Sequence, residues 1–310
     1  MYTTQEPAIV AGTFIYPMNG FGFKTLFGSE PNKEILIDLL NELLQGRKVI
    51  TDLTYNKNES RAPQKEFRGS VFDLTCTDQG GAKFLIEMQR VHQPYFRDRA
   101  VYYTSSMIHE HWSQGIEKLD FDPPEVFFIG LMDFEFNDHR PSNYLNRMRF
   151  YNAATDKVFH EKLEFIFIEL SNFDKSEAEL ETNLDQWLFA LKNISKLGEI
   201  PTHLTKPIFQ KMFKIAEVAN LSKDDLSSYE RSLKTQWDEY FIWESAKKEA
   251  KEAGLKEGKE LRLKEVEAEL HADQEKAIIN LLKLDLPIRQ IADILNVSDP
   301  FVQQVKEKHS

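Results

Sequence analysis

The stretch "SVFDLTCTDQGGAKFLIEMQR", Ser70 to Arg90, reads as two short β-strands joined by a glycine turn. Gln79, Gly80 and Gly81 make a three-residue loop. Loops of that length place one residue in the left-handed conformation, which glycine adopts without steric cost. Asp78 then pairs with Ala82, and counting back along the ladder sets Asp73 opposite Glu87. Directly opposed residues share a face, with Cβ atoms about 4.5–5.5 Å apart. Period-two alternation puts Val71 and Thr75 beside Asp73, and Leu85 and Gln89 beside Glu87. Two carboxylates facing each other across strands repel, and burial raises the cost. A divalent cation between them reverses the sign of that interaction, and a hard oxygen site of this kind suits Mg²⁺. The plainer alternative has both acids facing water or paired with Lys or Arg. A slip of one residue in register would separate them altogether.

Upstream of the hairpin, "PNKEILIDLLNELLQG" spaces Ile35, Leu36, Leu39, Leu40 and Leu43 as one face of a helix, with Pro31 suited to its first turn and Gly46 to its end. "VITDLTYNK" (Val49–Lys57) reads as a strand. Downstream, "RDRAVYYTSSMIHEHWSQG" (Arg97–Gly115) reads as a helix. "EVFFIGLMDFEF" (Glu125–Phe136) is a near-continuous apolar run, the pattern of a strand covered on both faces. "EKLEFIFIEL" (Glu161–Leu170) is a further strand, and from about Ser176 the pattern is helical. This order predicts an α/β core of mixed strands flanked by helices rather than a repeating βαβ series. No glycine-rich phosphate loop of the Walker or dinucleotide type occurs.

The chain has 310 residues, 41% of them hydrophobic, which suits one large domain with an appendage, or two domains. No run approaches the ~18 uncharged apolar residues that span a bilayer, and the N-terminus lacks the pattern of a signal peptide. The single cysteine, Cys76, excludes an internal disulfide framework and a multi-cysteine zinc site, and suits a core position. A soluble cytoplasmic protein is expected. The formal net charge is −11, yet residues 1–110 hold 12 Lys/Arg against 13 Asp/Glu, so the acidity lies downstream of the hairpin. A near-neutral segment with local basic residues is compatible with a DNA surface.

Residues Glu244–Ala277 form an Ala/Glu/Lys-rich helix without a clean heptad, a solvated linker or a coiled-coil strand. In the tail, Ile288, Ile291, Ala292, Leu295, Val297, Val302 and Val305 have helix-turn-helix spacing. Asn296 suits the left-handed turn and Ser298 the cap of the second helix. That unit suits either DNA contact or packing and self-association. His109 and His111 flank Glu110 at a spacing that points them to different sides of a helix, so a shared metal is not expected there.

Four stretches in order, "GFGFKTLFG" (Gly20–Gly28), "PNKEILIDLLNELL" (Pro31–Leu44), "FDLTCTDQGGAKFLIEMQR" (Phe72–Arg90) and "RDRAVYYTSSMI" (Arg97–Ile108), resemble the Rpn (recombination-promoting nuclease)/putative transposase group of the PD-(D/E)XK nuclease superfamily. The resemblance implies a restriction-endonuclease-like mixed sheet flanked by helices, with a helical C-terminal extension. The division expected is an α/β core over 1–175, a helical bundle over 176–243 completing it, a charged linker helix over 244–277 and a small helix-turn-helix-like unit over 278–310. The implied activity is metal-dependent hydrolysis of DNA phosphodiesters, in recombination or on mobile DNA.

Asp73 takes the place of the motif's first acid and Glu87 that of the second. Gln89 stands where the wider superfamily has Lys, Phe72 replaces the motif proline, and Gly20 stands where the group usually has Asp. By the same resemblance, Asp73, Glu87 and the backbone carbonyl of Met88 would hold Mg²⁺, and Gln89 would orient the attacking water. Lys24 would supply positive charge unless it is simply a surface lysine. Arg99, Tyr103 and Arg90 would contact nucleic acid, with an intrahelical or interhelical ion pair as the alternative for Arg99. Glu34 and Glu59 are second-tier ligand candidates. DNA is the expected partner, no membrane is, and the C-terminal helices allow self-association. Gly20 and the absent lysine point to the competing reading, a non-catalytic DNA-binding or scaffolding protein with a degenerate site.

Overall fold

The computed structural model describes residues 12–56, 74–93, 95–113, 122–136 and 143–309. The hairpin forms as its turn chemistry dictates. Strands β2 (Leu74–Asp78) and β3 (Lys83–Gln89) pair antiparallel with Leu74 opposite Ile86 and Cys76 opposite Phe84. The Asp78 N–H donates to the Ala82 carbonyl at 2.9 Å, and Gly81 takes φ +85°. The Asp78 carboxylate closes the turn, accepting from the N–H groups of Gly80 and Ala82 at 2.9 and 2.8 Å. This is the register read from the sequence. Asp73, Phe72 and Glu59 lie outside the described residues.

Around this hairpin a six-stranded mixed sheet is ordered β1-β2-β3-β4-β8-β5. β1 (Leu53–Tyr55) is antiparallel to β2. β3, β4 (Val126–Met132) and β8 (Leu163–Glu169) run parallel, and β5 (Leu145–Met148) closes the far edge antiparallel to β8. Every residue of β4 is buried, as its unbroken apolar run requires of a strand covered on both faces. A small hairpin, β6 (Tyr151–Asn152) with β7 (Lys157–Val158), precedes β8.

One sheet face is covered by α1 (Gly20–Phe27), α2 (Lys33–Leu43), α4 (Asn183–Asn193) and α5 (Pro207–Ala216). Phe23, Leu39, Trp187 and Phe213 join Phe84, Ile129 and Ile166 there in one core. The other face is covered by α3 (Phe96–Ser113), where Phe96 meets Phe128, Phe134, Phe136 and Phe167 at ring-centroid distances of 6.0–6.4 Å. Odd-numbered residues of β3 therefore face α3 and even-numbered ones face the larger core. Cys76 is fully buried in that larger core, where burial and then the nearby Asp78 charge push its thiol up to about 12.

The strand expected over Val49–Lys57 is shorter at its start. Asn41 bonds both the N–H and the carbonyl of Ile50 at 2.7 and 2.9 Å, so Ile50 has no groups left for a ladder. α1 has no counterpart among the helices read from the sequence, since Gly20 and Gly22 weaken any helical pattern. Its determinants are tertiary. The Asn19 side chain caps it by accepting from the Gly22 N–H at 2.6 Å, and a Cβ at Gly22 would run into the Tyr16 carbonyl.

The described chain divides into two compact units, Met1–Tyr240 and Phe241–Ser310. α6 (Lys223–Leu282) runs unbroken through the boundary and includes the charged helix read over Glu244–Ala277, and Gly254 and Gly258 do not interrupt it. In the second unit, the end of α6 packs with α7 (Ile288–Leu295) and α8 (Asp299–His309) around Ile278, Ile291, Ala292, Val302 and Val305. Asn296 takes the left-handed conformation at φ 51°, ψ 47°, and the next N–H, that of Val297, donates to the Ala292 carbonyl at 3.0 Å. Among the described residues no helix is long and apolar enough to cross a membrane.

Candidate active site

Glu87 occupies the C-terminal half of β3, opposite Gly130 of β4, on the face covered by α3. Its carboxylate is almost wholly removed from water, and such a group is kept ionised only by a cation or by several hydrogen bonds. Arg99, on the first turn of α3, supplies the cation: its Nη2 donates to Glu87 Oε1 at 2.5 Å. The guanidinium is itself held by Gln93 Oε1 and lies 5.9 Å from the Phe96 ring centroid and 5.8 Å from that of Tyr103. Glu87, Arg99 and Tyr103 are thus brought together, with Arg99 paired to an acid of β3 rather than to one within or between helices.

Gln89 lies two residues on along the same face, its Nε2 donating to the Val91 carbonyl at 3.0 Å. Met88 points the other way and packs against the larger core. Lys24 is exposed on α1 and makes no ion pair among the described residues. Glu34 is taken by a surface ion pair with Lys211 at 2.6 Å. Among the described residues no group of three or more His, Cys, Asp or Glu side chains is gathered to hold a metal ion, His109, Glu110 and His111 included.

Arg90 directly follows β3. Its guanidinium is largely withdrawn from solvent, with Nε 3.8 Å from Asp133 Oδ2 and Cζ 5.7 Å from the Tyr16 ring centroid. In the amide orientation that satisfies both partners, Gln236 of α6 also accepts from Arg90 Nε at 3.0 Å. A guanidinium engaged on these sides ties the end of β3 to Asp133, Tyr16 and α6.

Asp133, which the sequence reading passed over inside an apolar run, follows β4 directly, and its N–H donates to the Gln89 carbonyl at 3.1 Å. Burial raises its pKa above the usual carboxylate range, against the opposing charge of Arg90 and the hydrogen bond from Tyr16 Oη at 3.4 Å. Burial and then the Asp133 charge raise the Tyr16 phenol in turn. The one available signal was an acid at the C-terminal end of a wholly apolar strand, where parallel sheets place functional groups. Glu169, at the end of β8, is likewise fully buried and accepts from the side-chain amides of Asn146 and Asn172 at 2.9 and 2.7 Å.

Residues 17–246 match the model of one protein family, described as PD-(D/E)XK nuclease family transposase. The chain belongs to this family. No curated protein and no solved structure matches it significantly. The mixed sheet with flanking helices is the architecture such a nuclease requires, and the family match carries a nuclease or transposase-like function with DNA as substrate class. PD-(D/E)XK nucleases use divalent metal ions in general. The donors on β3 fit a hard ion of that kind. Glu87 offers a carboxylate at a sheet end, Met88 a backbone carbonyl and Gln89 a neutral amide oxygen, with no sulfur or imidazole among them.

Proposed function

We propose that this chain is a divalent-metal-dependent endodeoxyribonuclease acting in recombination or on mobile DNA. One observation carries the reading: a buried carboxylate, Glu87, to which the resemblance gives the place of the motif's second acid, lies within a family match over residues 17–246. Asp73 and Glu87 would hold the ion, with the Met88 carbonyl as a third ligand. The register observed from Leu74 to Thr77 supports this pairing, because the same ladder, if continued by one residue, would oppose those two acids. When bound, a magnesium ion supplies Lewis-acid polarisation of the scissile phosphate and lowers the pKa of a water. Gln89 positions that water by hydrogen bonding, without the positive charge a lysine would add. Lys24 is the candidate for that charge. Arg99 would contact a substrate phosphate, and Tyr103 would support its guanidinium.

A second reading has a specific observation behind it. Glu87 is satisfied by Arg99 at 2.5 Å, an arrangement that also suits a DNA-binding or scaffolding protein whose site no longer works. Supercoiled plasmid with Mg²⁺ separates the two. Nicking by the wild type that is lost in both Asp73→Ala and Glu87→Ala supports the enzyme. Absence of nicking alongside salt-sensitive DNA binding supports the scaffold.

A further inference from the structure

In the second unit, every residue of α6 from 245 to 273 is exposed. A helix without tertiary cover is weakly held, since packing of an apolar face supplies most helical stability in proteins, and Gly254 and Gly258 weaken this one further. Four large apolar side chains nevertheless share one side of the segment. At 3.6 residues per turn, Leu255, Leu263, Val266 and Leu270 fall within an arc of about 80° and along about 22 Å of the axis. They are between 46% and 62% exposed. Leu255 and Val266 stand eleven residues apart, close to three whole turns of a straight helix, so the stripe keeps to one side without a heptad. Lys259 lies within the same arc, where a lysine stem can cover apolar surface while its ammonium stays in water.

Charge indicates what covers the stripe. Residues 245–264 carry seven Lys/Arg against four Glu, whereas residues 265–280 carry one Lys against five Asp/Glu. Two copies laid side by side in parallel would set the basic half on the basic half and the acidic on the acidic. Turned end for end, they set the basic half of each on the acidic half of the other. The flanks of the stripe agree. Lys256 and Glu267 lie on one flank and Lys251 and Glu269 on the other, each about 60–80° from the midline of the stripe. In an antiparallel pair each flank faces the same flank of the second copy, so Lys256 meets Glu267 and Lys251 meets Glu269, each pair occurring twice.

We propose that two copies of this chain pair antiparallel through the stripe from Leu255 to Leu270. A second copy is favoured over an unrelated partner because its own acidic half is the complement that the basic half requires. The inference goes beyond the nuclease reading and does not depend on it.

The test is sedimentation equilibrium of the full chain over a concentration series, without DNA or metal. The wild type is expected to dimerise. Leu255→Glu and Leu263→Glu are each expected to weaken the dimer by about 10- to 100-fold, the usual effect of denying one leucine its burial. Leu261→Glu is the control: Leu261 is 55% exposed on the opposite side of the same helix, so its replacement changes dimerisation less than about twofold. Two charge-reversed chains test the direction of pairing. Lys251→Glu with Lys256→Glu, and Glu267→Lys with Glu269→Lys, each set like charges against each other in an antiparallel pair and are expected to dimerise about tenfold or more weakly alone. Mixed, they regain about the wild-type affinity, because every flank contact is again between opposite charges. That rescue also shows both variant chains to be folded. A wild type that is monomeric throughout, a stripe variant that dimerises as the wild type does, or an equal loss in Leu261→Glu overturns the proposal. So does a charge-reversed chain that dimerises normally alone, or a mixture that stays monomeric. A stripe that binds another protein or a lipid surface while the chain remains monomeric overturns it as well.

Discussion

Arg99→Met is the most informative single change, because it removes the charge beside Glu87 and keeps much of the side-chain stem that packs on Phe96 and Tyr103. The Glu87 and Arg99 side chains are 7% and 22% exposed and 2.5 Å apart. Breaking a buried pair by deleting one partner costs about 3–5 kcal/mol. Water reaches the arginine side, so the cost falls below that range and the expected loss is about 2–3 kcal/mol in EDTA. A divalent ion then changes the comparison. On the proposed reading, Glu87 of the variant would bind it without first releasing a guanidinium, and at tenfold its dissociation constant the linked stabilisation would be about 1.4 kcal/mol. In the wild type the ion would have to displace Arg99, so the same concentration would stabilise it less. Urea denaturation of both proteins, in EDTA and in Mg²⁺ or Mn²⁺, measures all four values. A loss below about 0.5 kcal/mol in EDTA, within the range of ordinary surface changes, would mean that the pair contributes nothing. Equal stabilisation of the two proteins by metal would mean that Glu87 is not shared between guanidinium and ion.

Asp133→Asn isolates a carboxyl whose folded pKa is raised by burial. Its contribution is fully present below the unfolded value near 4 and is lost as pH rises through the folded one. The melting temperature of the wild type minus that of the variant should therefore fall between pH 4 and 8, and a rise refutes the assignment. Asp185 behaves in the opposite sense. Burial pushes its pKa up, but Lys175 and the N–H groups of Thr182 and Glu181 outweigh burial and hold it below the usual range. Asp185→Ala should cost about 2–4 kcal/mol at neutral pH by denaturation, as one partner of a buried hydrogen-bonded pair, and less as pH falls through the folded pKa. In the second unit, Asn296→Val forces a β-branched residue to φ 51°. It should lower hydrogen-exchange protection across α7 and α8 by about 1–2 kcal/mol, whereas Asn296→Gly should not.

Sequence alone determined the features whose causes are local. The Gln79–Gly81 turn sets the β2/β3 register because a three-residue loop with glycine at φ +85° allows only one pairing of Asp78 with Ala82. The unbroken apolar run of β4 could belong only to a strand covered on both sides, and the spacing around Asn296 could close only as a helix, a left-handed turn and a helix. Tertiary structure alone decided the rest. α1 depends on Tyr16 and Asn19 closing on Gly22, β5 depends on the free edge of β8, and the start of β1 depends on Asn41 reaching Ile50 from α2. The electrostatics of the site were hidden for the same reason. Whether Arg99 meets Glu87, and whether Arg90 turns toward Asp133 and Gln236, is settled by which side of the sheet each side chain leaves. Periodicity assigns a face to a strand residue, but a long cationic side chain finds its counter-charge only when separate elements pack and remove the water that would otherwise screen both.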